Sequence, residues 1–136
     1  PKMHTLIPLL HQGKFSCVIR KGDAVRTFTQ RGVADLFHLL TTDEPFLLGS
    51  SIADKVVGKG AAALMILGKV AGVYAAVISK PALDLLTEHN MYVKYDTLVP
   101  NIINRTHTGV CPVEQLCLPL SSLSDMYNAI SHFVHK

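Results

Sequence analysis

The spacing of apolar residues changes from segment to segment along the chain, and these changes outline a series of helices and strands. His4 to Gln12 reads as a short helix ended by Gly13. Ser16 to Arg20 and Ala24 to Thr29 flank Lys21-Gly22-Asp23, which is the pattern of a β-hairpin. Val33, Leu36, Phe37 and Leu40 recur at i, i+3, i+4 and i+7 and predict a helix of about eight residues. Ser51 followed three residues later by Asp54 fits a capping box, and Ile52, Val56, Leu64 and Leu67 continue along one side, so the pattern predicts a helix from Ile52 to Gly68. Gly72 breaks it. Val73 to Ser79 then has no polar residue before its last position, as expected of a central strand buried on both faces. Pro81 suits the first turn of a helix that carries Leu83, Leu85 and Leu86 and ends near His89-Asn90, and Tyr92 to Asp96 supplies another strand. Leu98 to Val110 has no period and is dense in Asn, Thr, Pro and Gly, whereas Leu123, Met126, Tyr127, Ile130, Phe133 and Val134 form a final amphipathic helix.

A strand, a helix and a strand at this spacing make a right-handed parallel crossover. Together with the hairpin this predicts a mixed sheet covered by helices on both faces, in one α/β domain over residues 1–136. A chain that is 49% hydrophobic and 17% charged has enough apolar material for a core, which excludes disorder as its main state. The formal charge of +3 comes from residues such as Lys14, Arg20, Lys21, Arg26 and Arg31, which form no run, so neither nucleic acid nor an anionic membrane is an expected partner. The longest apolar stretch, Val56 to Ser79, is interrupted by Lys59, Lys69 and four glycines and does not suit a membrane span. The first residues lack the apolar run and cleavage pattern of a signal peptide, which makes the cytoplasm the expected location. Cys17, Cys111 and Cys117, an odd number, are then expected as free thiols.

The sharpest chemical signal is Thr108-Gly109-Val110-Cys111-Pro112-Val113-Glu114. With Pro112 at the first helical position, Cys111 becomes the N-cap and Glu114 the third residue, and unpaired N–H groups there favour a thiolate. A buried cysteine beside a capping glutamate is the plainer account of the same residues. Asp54-Lys55 is the second signal. Gly58 and Gly60, each costing about 1 kcal/mol relative to Ala within a helix, point to close approach by a neighbouring element or a ligand. Metal and cofactor patterns are missing: Cys111 and Cys117 have five residues between them rather than the two to four of a zinc knuckle, and no H-E-x-x-H, phosphate loop, G-x-G-x-x-G or G-x-S-x-G occurs. No metal or cofactor is expected.

Ser51-Ile52-Ala53-Asp54-Lys55-Val56-Val57-Gly58-Lys59, Val77 to Leu83, Leu98 to Arg105 and Thr108 to Glu114 resemble, in that order, the motifs of a prokaryotic family of unknown function classed by structure with the cytidine-deaminase-like fold. The resemblance covers Phe15 to Cys117. It implies a three-layer α-β-α sandwich with a mixed five-stranded sheet, made of a deaminase-like core over residues 15–117 and a C-terminal helix over 121–134. Zinc deaminases carry H-x-E at the start of one core helix and P-C-x-x-C at the start of the next. The expected helix starts here read Ala53-Asp54-Lys55 and Pro81-Ala82-Leu83-Asp84-Leu85, so the zinc-water mechanism is not carried over.

Two functional classes fit these residues. One is a binder of, or metal-independent enzyme on, a small polar or anionic, nucleotide-like molecule. In it Cys111 is the nucleophile, Glu114 and Asp54 complete the catalytic set, and Lys55, Lys80, Asn104, Arg105 and Thr108 hold the ligand. The other is a non-catalytic assembly or regulatory module in which the motifs serve packing. A homo-oligomer is compatible with both.

Overall fold

The computed structural model describes residues 3–30, 32–104 and 106–135. Its elements run α1 (Met3–Gln12), β1 (Cys17–Lys21), β2 (Ala24–Phe28), α2 (Ala34–Thr42), α3 (Glu44–Leu47), β3 (Ser51–Val57), α4 (Lys59–Leu67), β4 (Gly72–Ser79), α5 (Lys80–Glu88), β5 (Tyr92–Val99), α6 (Pro112–Cys117) and α7 (Leu123–Val134). The strands form one mixed sheet in the order β2-β1-β3-β4-β5. β1 is antiparallel to both β2 and β3, whereas β3, β4 and β5 are parallel. Helices cover both faces, as expected. On one face α1 sets Met3, Leu6 and Leu10 against Val18, Ala53 and Tyr74. The larger core on the other face joins Ile19, Ile52 and Val73 of the sheet to Leu64 and Met65 of α4 and to Met126 and Ile130 of α7.

The largest departure from the sequence pattern lies at Ser51 to Val57. These residues form β3, not the opening turns of a helix, and α4 begins only at Lys59. Ser51 caps nothing there, and Asp54 stands within a strand. β3 also takes the middle of the sheet that the pattern assigned to Val73–Ser79, which is its neighbour β4. The cause is physical. A strand covered on both faces can carry apolar residues in pairs rather than in alternation; Ile52 and Ala53 are buried in the two opposite cores, and together with the partly exposed Val56 and buried Val57 they mimic helical spacing. Three β-branched residues in seven, followed by an extended Gly58 (φ −100°, ψ −179°), were the signals for a strand.

The glycines do mark close approaches, though to α6 and the loop before it rather than to the sheet. A Cβ at Gly58 would lie 3.1 Å from Glu114 Oε1 and 3.2 Å from Ile102 Cγ1, and one at Gly60 would lie 2.5 Å from Val113 Cγ1. Gly60→Ala should therefore lose the gain that Ala normally brings to a helix. Gly60→Leu should lower stability by about 1–3 kcal/mol through overpacking. Chemical denaturation measures both, and a wild-type midpoint for Gly60→Leu would show that Val113 yields freely.

Candidate functional site

A cavity of about 840 Å³ opens on the helix-rich face of the sheet, where the start of β1 meets the end of β3. Its floor carries Cys17 of β1 and Asp54 of β3. Lys55 and the first turns of α2 and α4 form its sides, and Ile102 to Asn104, Cys111 and Glu114 close it from the α6 side. Phe15, Phe28 and Phe133 add aromatic surface. The site lies beyond the carboxyl end of a parallel strand, a usual position for ligands in open α/β sheets.

Cys17 and Asp54 face each other in the β1–β3 register, which sets the thiol and the carboxyl side by side on the cavity floor. Burial raises the Asp54 carboxyl to about 7, an effect opposed in part by the N–H of Val56, by the Cys17 thiol and by the N–H of Lys55. The Val56 N–H donates to Asp54 Oδ1 at 3.2 Å. Burial also raises the Cys17 thiol well above its ordinary value, and the charges of Asp54 and Asp35 add to that effect. Asp54 is thus poised to gain or lose a proton near neutral pH, while Cys17 stays a thiol.

Glu114 is 1% exposed and has both oxygens engaged. Oε1 accepts from the Lys59 N–H at 2.6 Å and from the Ser79 hydroxyl at 3.0 Å, while Oε2 accepts from the Ile102 N–H at 2.7 Å. Ser79 in turn N-caps α5 by accepting from the Ala82 N–H at 3.2 Å. One carboxylate therefore ties together the starts of α4 and α5, the loop after β5, and α6. The capping box expected around Cys111 is not formed. Cys111 does occupy the N-cap of α6, but its side chain makes no cap bond, and its own N–H donates to Ile102 O at 2.8 Å instead of to Glu114.

The other sequence-predicted residues divide. Lys55 and Asn104 line the cavity with Asp54, Cys111 and Glu114. Asn104 is held in its loop, where its Nδ2 donates to Thr108 Oγ1 at 3.1 Å and its Oδ1 accepts from the Thr108 N–H at 3.0 Å. Thr108 is itself exposed and supports the wall from outside. Lys80 lies away from the cavity, exposed at the start of α5 and paired with Asp84 at 2.6 Å. Arg105 lies outside the described residues. Cys17 and Asp35 are the site residues that sequence reasoning missed. Cys17 becomes visible only once Asp54 is read in a strand, since it is then a cross-strand neighbour in an antiparallel pair.

The donors present do not fit the zinc of the deaminases. The starts of α2, α4 and α5 read Gly32-Val33-Ala34-Asp35, Gly58-Lys59-Gly60-Ala61 and Lys80-Pro81-Ala82, with neither imidazole nor thiol, and the start of α6 adds the single thiol of Cys111. Asp54, placed in β3, is not at a helix start at all. Among the described residues no group of three or more His, Cys, Asp or Glu side chains is arranged to hold a metal, and no helix is long and apolar enough to cross a membrane.

The sheet and its two helical layers define an α/β protein with a cavity beyond the carboxyl end of its middle strand. The chain belongs to the TM1506 family, a domain of unknown function (DUF1893), whose model matches residues 5–134. Its fold is similar to that of the crystal structure of a DUF1893 family protein (TM1506) from Thermotoga maritima, with a TM-score of 0.88 and 25% sequence identity over 96% of this chain and 88% of the other. No curated protein sequence matches it.

Proposed function

We propose that this cavity binds a small polar molecule with a planar apolar part, and that Asp54 exchanges a proton with it without help from a metal. The observation that carries this reading is a carboxyl with a pKa of about 7 on the floor of a cavity that also holds three phenylalanine rings. Lys55, on the same rim, supplies a positive charge for an anionic group. Cys111 is the nucleophile in this reading, because its thiol is not engaged as a cap and Cys17 is held protonated. Glu114 has its oxygens bound to Lys59, Ser79 and Ile102, which supports a positioning role rather than proton transfer. The three layers around a mixed five-stranded sheet support a deaminase-like reading of the architecture, and that kinship alone carries no activity. Three free cysteines support a reducing, cytoplasmic setting.

Native mass spectrometry of gently purified protein tests this reading together with iodoacetamide labelling. A co-purifying small molecule is expected, and it should slow alkylation of Cys111. Without it, Cys111 should react faster than Cys17, whose thiol is raised by burial, and faster than the fully buried Cys117. Cys111 labelling no faster than Cys117 would leave the motif with packing alone.

A further inference from the structure

The far side of the sheet ends in a strand edge that carries its own complement. Among the described residues β5 pairs only with β4, and most of its own residues are exposed. Its large side chains are unusually open for a strand, with Tyr92 61%, Tyr95 40% and Leu98 43% exposed. Such an edge presents a row of backbone donors and acceptors to any strand that fits it.

We infer that β5 pairs with β5 of a second copy of this chain, antiparallel about a two-fold axis through Tyr95, to make a dimer with one continuous sheet. The sequence of the strand selects this register. With Tyr95 opposite its own copy, Lys94 falls opposite Asp96 on both sides of the axis, Val93 opposite Thr97, and Tyr92 opposite Leu98. Moving the axis to Lys94 would set two lysines face to face, and moving it to Asp96 would do the same with two carboxylates. Either arrangement places like charges directly opposite one another, which destabilises an antiparallel pair. Lys94 registers with Tyr74 of β4, and Asp96 accepts the Tyr74 hydroxyl. Both charges of each pair therefore lie toward the α1 face, where they can meet.

A lone lysine on an edge strand is also a common guard against association, and the carboxylate two positions away is what turns the guard into half of a match. The opposite edge offers no such match. β2 has Arg26 as its one charged residue and no acid for a copy to present, and Arg26 is already paired with Asp43 at 2.9 Å. The dimer is independent of what the cavity binds, which lies at the junction of β1 and β3.

Sedimentation velocity of the full chain over a wide range of concentration tests the inference. The wild type should sediment as a dimer. Lys94→Asp sets carboxylates opposite Asp96 twice and should weaken association by about 10- to 100-fold. Adding Asp96→Lys reverses both charges and should restore the dimer. Circular dichroism checks that each variant is folded, and Tyr95→Arg, which brings two guanidinium groups together on the axis, replaces Lys94→Asp should that variant unfold. A monomeric wild type would overturn the proposal, as would a dimer indifferent to Lys94→Asp and Tyr95→Arg, or a folded double variant that stays monomeric.

Discussion

Glu114→Ala should lower the free energy of unfolding by about 3–5 kcal/mol, the range for losing several charge-assisted hydrogen bonds at a buried position. The Lys59 and Ile102 N–H groups and the Ser79 hydroxyl would each lose their acceptor. The total falls short of three full penalties because water from the adjoining cavity can reach part of the gap. Glu114→Gln is the sharper test, since it keeps the shape. Whichever way the amide turns, its NH2 meets a backbone N–H, that of Lys59 on one side or that of Ile102 on the other. A loss of about 1–3 kcal/mol is expected for that mismatch of donors. Urea denaturation of both variants measures the effect, and a Glu114→Gln protein as stable as wild type would show that these bonds contribute little.

Asp54→Asn should act in the opposite direction and with a marked pH dependence. The folded protein holds the Asp54 proton up to about pH 7, whereas the unfolded chain releases it near the ordinary value of 3.8. Between those values the native state binds more protons than the unfolded one, so wild-type stability falls as pH rises, and above pH 7 the whole cost of ionising a desolvated carboxyl is present. About three pKa units correspond to about 4 kcal/mol. Asn keeps an acceptor for the Val56 N–H and has no charge to desolvate. The variant should thus exceed wild type in stability at pH 8 by about 3–4 kcal/mol, with the advantage shrinking by about 2–3 kcal/mol at pH 5. Thermal or chemical unfolding at the two pH values checks this, and an advantage independent of pH would mean that Asp54 titrates near its ordinary value in the folded protein. Asp35, Lys55 and Cys17 line the same cavity, and none replaces Asp54 in this comparison.

Most of the architecture was legible in the sequence because local pattern and final structure agree there. The hairpin, the helix starting near Val33, the run from Val73, the Pro81 helix and the last amphipathic helix appear within a few residues of where spacing and turn residues place them. The strand at Ser51–Val57 was not legible, because the adjacent Ile52 and Ala53 are buried on opposite faces, which breaks the alternation of a strand, and Ser51 and Asp54 happen to sit three apart. That one misreading spread to the site. Read at a helix start, Asp54 looks like a capping carboxylate beside an anion site made by Lys55 and the helix N-terminus. Placed in the middle strand opposite Cys17, it is a desolvated acid. Grouping Asp54, Lys55, Asn104, Cys111 and Glu114 from sequence motifs matched the cavity, while Lys80 and Thr108 fell outside its lining, since motif order along the chain does not say which end of a helix or which side of a loop a residue will face.

The carboxylate of Glu114 joins backbone groups 55 and 12 positions earlier in the chain, and a hydroxyl 35 positions earlier. Closing loops of that length carries an entropic cost that must be met before the contacts they bring can form. Ser51 pairs with Gly72 and Gly72 with Tyr92, nearer in the chain than Lys59 or Ser79 is to Glu114, so the parallel strands pair at a lower entropic cost than the ties from α6 to α4 and α5. Asp54 stands on the floor of the cavity whose wall α6 helps to form, so a change that loosens that wall brings water nearer the carboxyl and should draw its pKa back toward the ordinary value of 3.8.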